Sequence, residues 1–155
     1  QYFMRQEQTI DFHLKCTWQN IAKHYNGHAA TFGSTMAVGF VLLNIDIEKG
    51  TPSTSLGPKM GMEATSLSRI LKSMEEKNLI ERKPHPQDGR SVLIHLTDFG
   101  IEKREDARQA VLSFNDTVYN NISTEDKEAL CRVISTINRV IENKEIYKEI
   151  SKKAV

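Results

Sequence analysis

The sequence lacks any long apolar run and has only two cysteines, and each shortage excludes a class of protein. Its longest apolar stretch, residues 37–47, contains Asn44 and Asp46 and falls short of the roughly 20 residues that a membrane-spanning helix needs. No basic segment followed by a cleavage site opens the chain, so we expect a cytoplasmic protein without a signal peptide. Cys16 and Cys131 lie far apart and outside metal-ligand spacing, which favours two reduced thiols.

The sequence also lacks the usual signatures of an enzyme or a metal site. No Ser-His-Asp order, glycine-rich phosphate loop or paired carboxylates can be picked out, so an enzyme is not expected. His13 has no partner with ligand spacing, and Gly27 predicts that the helix carrying His24 ends before His28. We therefore expect no metal and no cofactor.

Excess charge of either sign is also missing, because the formal net charge is only +1. Cations and acids balance at four each in residues 1–58, and residues 105–155 hold eight cations against nine acids. Residues 59–104 hold nine cations against seven acids. Any binding of nucleic acid must therefore come from a local patch and not from the field of the whole molecule.

A two-faced helix is predicted just before the middle of that central segment. Its apolar face has helical spacing and consists of Leu67, Ile70, Leu71 and Met74. A second face repeats the same spacing with Thr65, Ser68, Arg69 and Lys72. No acid occurs between Glu63 and Glu75. Short hydroxyls and cations suit contacts with base edges and phosphates, so this face is a candidate DNA-binding surface.

A charged hairpin follows, because the apolar period changes to two after Asn78. We predict strands at 80–83 and 91–97 and a tip at 84–90. Asp88-Gly89 predicts a tight turn in which glycine supplies a positive φ. Pro84 and Pro86 are expected to stop the tip from pairing further. The cations of this hairpin are Arg82, Lys83 and Arg90.

Helices are predicted on both sides of this central part. Their ranges are 5–26, 34–47, 53–60, 97–120 and 123–146, with a turn cluster at 50–53. The helix at 34–47 is apolar nearly all round and should be buried, with Ser34 or Thr35 as its cap. The first helix and the last two carry apolar stripes, which suits a twofold-symmetric helical dimer interface.

The order of these elements resembles the MarR family of bacterial transcription regulators. The similarity is carried by residues 65–71, 74–82, 88–91 and 96–100. It implies a homodimer whose recognition helices enter successive major grooves, with each wing in a flanking minor groove. It gives Arg90 the minor-groove contact and Asp88 the role of its orienting carboxylate. It gives base-edge and phosphate contacts to Thr65, Ser66, Ser68, Arg69 and Lys72.

Two departures from the family pattern stand out. Asn78 occupies a position where glycine is usual, and Gly57-Pro58 interrupts a helix that is usually regular. The second departure bears on the geometry of the short helix at 53–60.

The predicted fold is mainly α with a small β-hairpin wing (α+β), with a winged helix-turn-helix at 34–98 and dimerisation helices at 1–33 and 99–155. The predicted function is a homodimeric repressor that binds a pseudo-palindromic operator of double-stranded DNA. Half-sites should lie about one helical turn, roughly 10 base pairs, apart. The resemblance also implies that binding of a small aromatic or lipophilic ligand releases the DNA. We expect that ligand to bind in a pocket near Trp18 and Phe32.

Three alternatives remain open at this point. Cys16 could make the protein a thiol-based redox sensor, although no second cysteine lies near it in sequence. The winged helix could instead serve as a protein-interaction module without a DNA role. Trp18 and Phe32 could simply pack in the core.

Overall fold

The computed structural model of the chain describes residues 5, 9–144 and 146–147. Its elements are α1 (Ile10–Ala30), α2 (Met36–Asn44), β1 (Thr51–Pro52), α3 (Ser53–Met60), α4 (Ala64–Glu76), β2 (Ile80–Pro84), β3 (Val92–Leu96), α5 (Asp98–Asn120) and α6 (Thr124–Glu142). The chain divides into two compact units between Val111 and Leu112, within α5. Among the described residues, no helix is long and apolar enough to cross a membrane.

Helix α1 runs through Gly27 to Ala30, so its predicted end at residue 26 is wrong, and it begins at Ile10 instead of residue 5. The left-handed residue that follows the helix is Gly33, with φ of 67°. There Ser34 N donates to Ala29 O at 3.0 Å. A helix ends where the next amides can bond back to its last carbonyls, and a glycine alone does not end it.

Because α1 continues, His24 and His28 lie one turn apart on the same helix, contrary to the prediction. In the described ranges, no group of three or more His, Cys, Asp or Glu side chains lies close enough to hold a metal ion.

Helix α2 supplies part of the buried core, although it is shorter than the predicted 34–47. Its cap is Thr35, one of the two predicted candidates. The Thr35 side chain accepts a hydrogen bond from Val38 N at 3.3 Å. Val41 and Leu42 are buried. The expected burial is wrong for Ile47, which is 46% exposed because the helix has already ended before it.

The prediction of a turn at residues 50–53 is corrected by the structure, in which Thr51 and Pro52 form strand β1. Thr51 pairs with Ile94 and Pro52 with Leu93, which makes a three-stranded antiparallel sheet of order β1-β3-β2. Two residues, one of them proline, carry no alternating pattern, so only the pairing with β3 reveals this strand. Proline is tolerated here because β1 lies at the edge of the sheet.

The helix-turn-helix is formed by α3, which matches the predicted range 53–60, and by α4, which is the predicted two-faced helix. Gly61, with φ of 61°, ends α3, and Pro58 lies inside that helix instead of in its first turn. The apolar face of α4 is confirmed, because Leu67, Leu71 and Met74 are buried. These side chains join α2, α3, β2 and β3 in one core.

The end of α4 explains why asparagine is tolerated at position 78. Asn78 has a φ of 57°, in the left-handed region that asparagine tolerates better than most residues. Asn78 N donates to Glu75 O and Leu79 N to Met74 O, both at 2.9 Å. This pair of bonds is the Schellman turn, which directs the chain from α4 into β2.

The hairpin extends one step further than predicted. Pro84 pairs with Val92 within β2 and β3, and His85 N donates to Ser91 O at 3.0 Å. The expectation that Pro84 stops the pairing is therefore wrong, since the missing amide of a proline does not prevent its neighbour from bonding.

The start of α5 is held against the turn after α4. Thr97 Oγ1 accepts from Gly100 N at 2.9 Å, which confirms the predicted cap, and donates to Asn78 O at 2.6 Å. Thr97 N donates to Leu79 O at 3.1 Å. A Cβ atom on Gly100 would lie 1.9 Å from Leu79 O, so only glycine fits this contact.

The second unit holds the rest of α5 and all of α6. Ser123 caps α6 by accepting from Asp126 N at 3.0 Å, as predicted, but the helix ends at Glu142 and not near residue 146. No residue of α6 is buried. Its apolar side chains Leu130, Val133, Ile134 and Ile141 are 41–56% exposed. Residues 151–155, predicted to fray, lie outside the described residues.

Replacing Gly100 by alanine should destabilise the protein by about 3 kcal/mol, because the new methyl group overlaps the Leu79 carbonyl. Urea unfolding at one fixed chain concentration measures this change in free energy. Gly27→Ala is the control: a Cβ there meets nothing within 4 Å, and we expect a gain of about 0.5–1 kcal/mol. Equal effects of the two variants would contradict the assigned contact.

Candidate nucleic-acid interface

The outward face of α4 carries five of the predicted DNA-binding residues. All five are exposed: Thr65, Ser66, Ser68, Arg69 and Lys72. None of them forms a side-chain hydrogen bond or ion pair with another described residue. Because α4 buries its opposite face in the core, the hydroxyls and cations stay available to a ligand outside the protein.

Two of the hairpin cations are already paired with acids. Arg82 Nε lies 3.1 Å from Glu75 Oε2, and Lys83 Nζ lies 2.7 Å from Glu81 Oε1. The hydrogen bond from Lys83 lowers the pKa of Glu81 from its ordinary value. Exposed ion pairs are weak, but each acid offsets the charge that its cation could offer to a phosphate.

Arg90 lies at the exposed wing tip and has no ion-pair partner among the described residues. Of the predicted cations, Arg69, Lys72 and Arg90 are therefore the ones whose charge is not offset by a contact. Two of them lie on α4 and one lies at the wing.

Asp88 organises the backbone on both sides of Arg90. Its carboxylate accepts from Arg90 N at 3.1 Å and from Ser91 Oγ at 2.5 Å. The bond from Ser91 first, and that from Arg90 second, lower the pKa of Asp88. The carboxylate thus contacts the amide of Arg90, and no bond to its guanidinium is formed.

The expected positive φ at Gly89 is wrong, because Gly89 is not among the described residues with positive φ. The turn is closed instead by Ser91 N donating to Asp88 O at 3.0 Å, with the Asp88 side chain bonding to the amide two residues on. Such a turn is stable with ordinary negative φ values.

A cavity of about 380 Å³ lies within the first unit, between α1, α2, the end of α4 and the start of α5. Its aromatic lining consists of Tyr25, Phe32, Phe40 and Phe99, and burial raises the pKa of Tyr25. Phe32 was predicted at a ligand pocket, whereas Trp18 is not among the lining residues and is 52% exposed. Because four separate elements supply the lining, no sequence pattern could reveal most of it.

The polar groups at this cavity include His28, Lys77, Lys103 and Asp106. Lys103 Nζ lies 3.1 Å from Asp106 Oδ2 and 5.5 Å from the centre of the Phe99 ring. Lys77 follows the last residue of α4, and Ser73 and Met74 of that helix also line the cavity. A ligand in this space would touch the same helix whose outer face carries Arg69 and Lys72.

Residues 35–92 match the model of the MarR family, which covers the helix-turn-helix and most of the wing. This segment of the chain is similar to the MarR-type winged helix-turn-helix. Of its curated relatives, the uncharacterized HTH-type transcriptional regulator YdgJ of Bacillus subtilis is 29% identical over 90 residues, 58% of this chain and 55% of YdgJ. The chain thus spans about half the length of that relative. SarZ, an HTH-type transcriptional regulator of Staphylococcus epidermidis, is 27% identical over 72% of this chain and 74% of SarZ.

Among solved structures, the S. aureus MepR–DNA complex superposes with a TM-score of 0.78 at 20% identity, over 84% of this chain and 97% of MepR. This likeness shows the winged-helix fold, and it confirms the predicted α+β architecture. Both named relatives are HTH-type transcriptional regulators, so the chain is similar to regulators and not to enzymes.

The match of residues 35–92 to the MarR family model favours DNA binding over the protein-interaction module. The redox alternative stays a prediction: Cys16 is partly buried on α1, and Cys131 is exposed on α6.

Arg90→Ala should weaken binding about tenfold to a duplex selected by the wild-type protein from a random-sequence pool. The slope of log affinity against log salt should also fall by about 0.9 if Arg90 neutralises one phosphate. Fluorescence anisotropy over a salt series measures both quantities.

The matched control is the double variant Glu75→Gln with Arg82→Gln, which removes an ion pair without changing net charge. Because that pair is already internally neutral, affinity should change by less than about twofold. A larger loss in the control than in Arg90→Ala would reverse the assignment of the wing contacts.

Proposed function

We propose that the protein is a homodimeric repressor that binds a pseudo-palindromic operator and releases it when a small ligand occupies the cavity. The observation that carries the DNA-binding part is the set of exposed cations with no paired acid, Arg69 and Lys72 on α4 and Arg90 on the wing. One helix and one hairpin of a rigid module would then contact neighbouring grooves.

Helix α4 is the proposed reader of the major groove. The unbonded hydroxyls of Thr65, Ser66 and Ser68 allow close approach to base edges. Arg69 and Lys72 lie further along the helix and can reach guanine or phosphate. Because α4 is anchored by its buried face, its outer residues would present a fixed pattern to DNA.

The wing is the proposed minor-groove contact. Arg90 protrudes at the end of a two-stranded hairpin, and Asp88 holds the amide of Arg90. An arginine is attracted by the negative potential of a narrow minor groove. Arg82 and Lys83 contribute less in this proposal than the sequence implied, since Glu75 and Glu81 lie against them.

Homodimerisation is proposed from two apolar surfaces, one in each unit. Ile10, Leu14 and Trp18 are exposed along α1. The second surface consists of the exposed apolar residues of α6, a helix in which no residue is buried. Faces of this kind need covering, and a second copy of the chain can cover both.

The helices outside 34–98 are therefore assigned to dimerisation, and that central segment to DNA binding. A regulator of this kind works in the cytoplasm, where it meets the bacterial chromosome.

Release by a ligand is proposed from the position of the cavity. Its apolar and aromatic walls suit a small aromatic or lipophilic molecule. Ser73 of α4 lines the cavity, so such a ligand would lie against that helix. The ligand must prefer a dimer with altered spacing of the two recognition helices, since equal affinity for both states would release nothing.

Val133→Glu should convert the dimer to a monomer, because it places a charge on the exposed apolar face of α6. Sedimentation equilibrium measures the mass, and binding to a selected duplex with half-sites roughly 10 base pairs apart should be lost with the dimer. Ser135→Glu changes an exposed polar residue of the same helix and should leave the mass unchanged. A dimeric Val133→Glu variant would contradict the assigned interface.

Ala29→Leu should reduce ligand-induced release of DNA about tenfold by filling the cavity, with little change in DNA affinity. A panel of aromatic and lipophilic compounds is first tested for release of wild-type protein from the selected duplex. Ala30→Leu is the control, because Ala30 is exposed and does not line the cavity. Full release from Ala29→Leu would show that the ligand acts elsewhere.

A further inference from the structure

We propose that His85 is a positioning residue of the wing, whose Nδ1 atom holds the tip in the shape that presents Arg90. The inference rests on the proposed wing contact, because it concerns how that contact is prepared. Neither the sequence patterns nor the family comparison assigned a role to this residue.

His85 makes two backbone contacts at the base of the tip. Its own amide donates to Ser91 O at 3.0 Å. This hydrogen bond follows the last strand pair of the hairpin, Pro84 with Val92. Its imidazole Nδ1 accepts from Gln87 N at 3.1 Å. Within residues 81–90, His85 is the one residue that is partly buried.

The two sides of the tip are held by the same kind of bond. On the outgoing side, the His85 side chain accepts from the amide two residues later. On the return side, Asp88 accepts from the amide of Arg90, again two residues later. Side-chain bonds to a backbone amide two residues on define local turns. With both bonds present, the path from His85 to Ser91 is specified on each side of the Asp88-Gly89 turn.

The atom that accepts the bond matters. A ring nitrogen that accepts carries no proton, so the hydrogen bond assigns the proton of a neutral His85 to Nε2. The Oδ1 atom of asparagine stands at the same number of bonds from Cβ as Nδ1 and can accept from the same amide. The Oε1 atom of glutamine is one carbon further out and matches Nε2 instead.

This difference gives a discriminating set of variants. Affinity for the selected duplex is measured for His85→Ala, His85→Asn, His85→Gln, Arg90→Ala and the double variant His85→Ala with Arg90→Ala. Hydrogen exchange of the Gln87 amide in the free protein is followed by NMR, and thermal unfolding checks that each variant is folded.

We expect His85→Ala and His85→Gln to weaken DNA binding about fivefold, as for loss of one side-chain hydrogen bond, and to speed exchange at Gln87. His85→Asn should bind within about twofold of the wild type and keep the Gln87 amide protected. In the double variant, the loss should not exceed that of Arg90→Ala alone, because His85 acts through Arg90.

Several outcomes overturn the inference. If His85→Asn binds as poorly as His85→Ala, the accepting atom is not what matters. Additive losses in the double variant would mean that His85 contacts DNA itself, and unchanged exchange at Gln87 in His85→Ala would remove the geometric basis. A wild-type affinity for Arg90→Ala would instead reject the proposed wing contact, and the exchange measurement would still decide whether His85 holds the tip.

Discussion

The contact between the Leu79 carbonyl and the start of α5 is the constraint on which the arrangement of the DNA-binding module depends. This carbonyl accepts from Thr97 N, and it lies so close to Gly100 that a Cβ atom would overlap it. The Thr97 hydroxyl bonds at once to Asn78 O and to Gly100 N. The end of α4, both strands of the wing and the first turn of α5 therefore meet at one corner, and none can shift alone without breaking a bond there.

The same corner borders the cavity. Leu79 lines it together with Met74 and Lys77 from the end of α4 and with Phe99 and Lys103 from α5. A ligand would thus press on the joint that fixes the direction of the recognition helix. Altered packing at this joint would change the orientation of α4, whose outer face lies one helix diameter from the cavity. The proposed release of DNA could proceed by this change in orientation.

Charge is distributed in the structure differently from its distribution in the sequence. Residues 59–104 hold more cations than acids, yet two of the hairpin cations lie in contact with acids of the same module. Glu75 is on α4 and Arg82 is seven residues later on β2, so helical or strand periodicity does not pair them. The Schellman turn at Asn78 brings them together. Of the predicted DNA-binding cations, Arg69, Lys72 and Arg90 are then the ones without an acid in contact among the described residues.

Local signals in the sequence determined the helices of the DNA-binding module, the caps at Thr35, Thr97 and Ser123, and the presence of a wing. Caps and amphipathic faces depend on residues three or four positions apart, so they can be read without the fold. Strand β1 escaped this reading because its partner β3 is distant in the sequence. The passage of α1 through Gly27 and the negative φ of Gly89 escaped it because a glycine permits a turn or a positive φ without requiring either. The exposed residues of α4 were identifiable from spacing alone. The tertiary structure decided which hairpin cations are free and what lines the cavity, since both depend on contacts between residues that no single period relates.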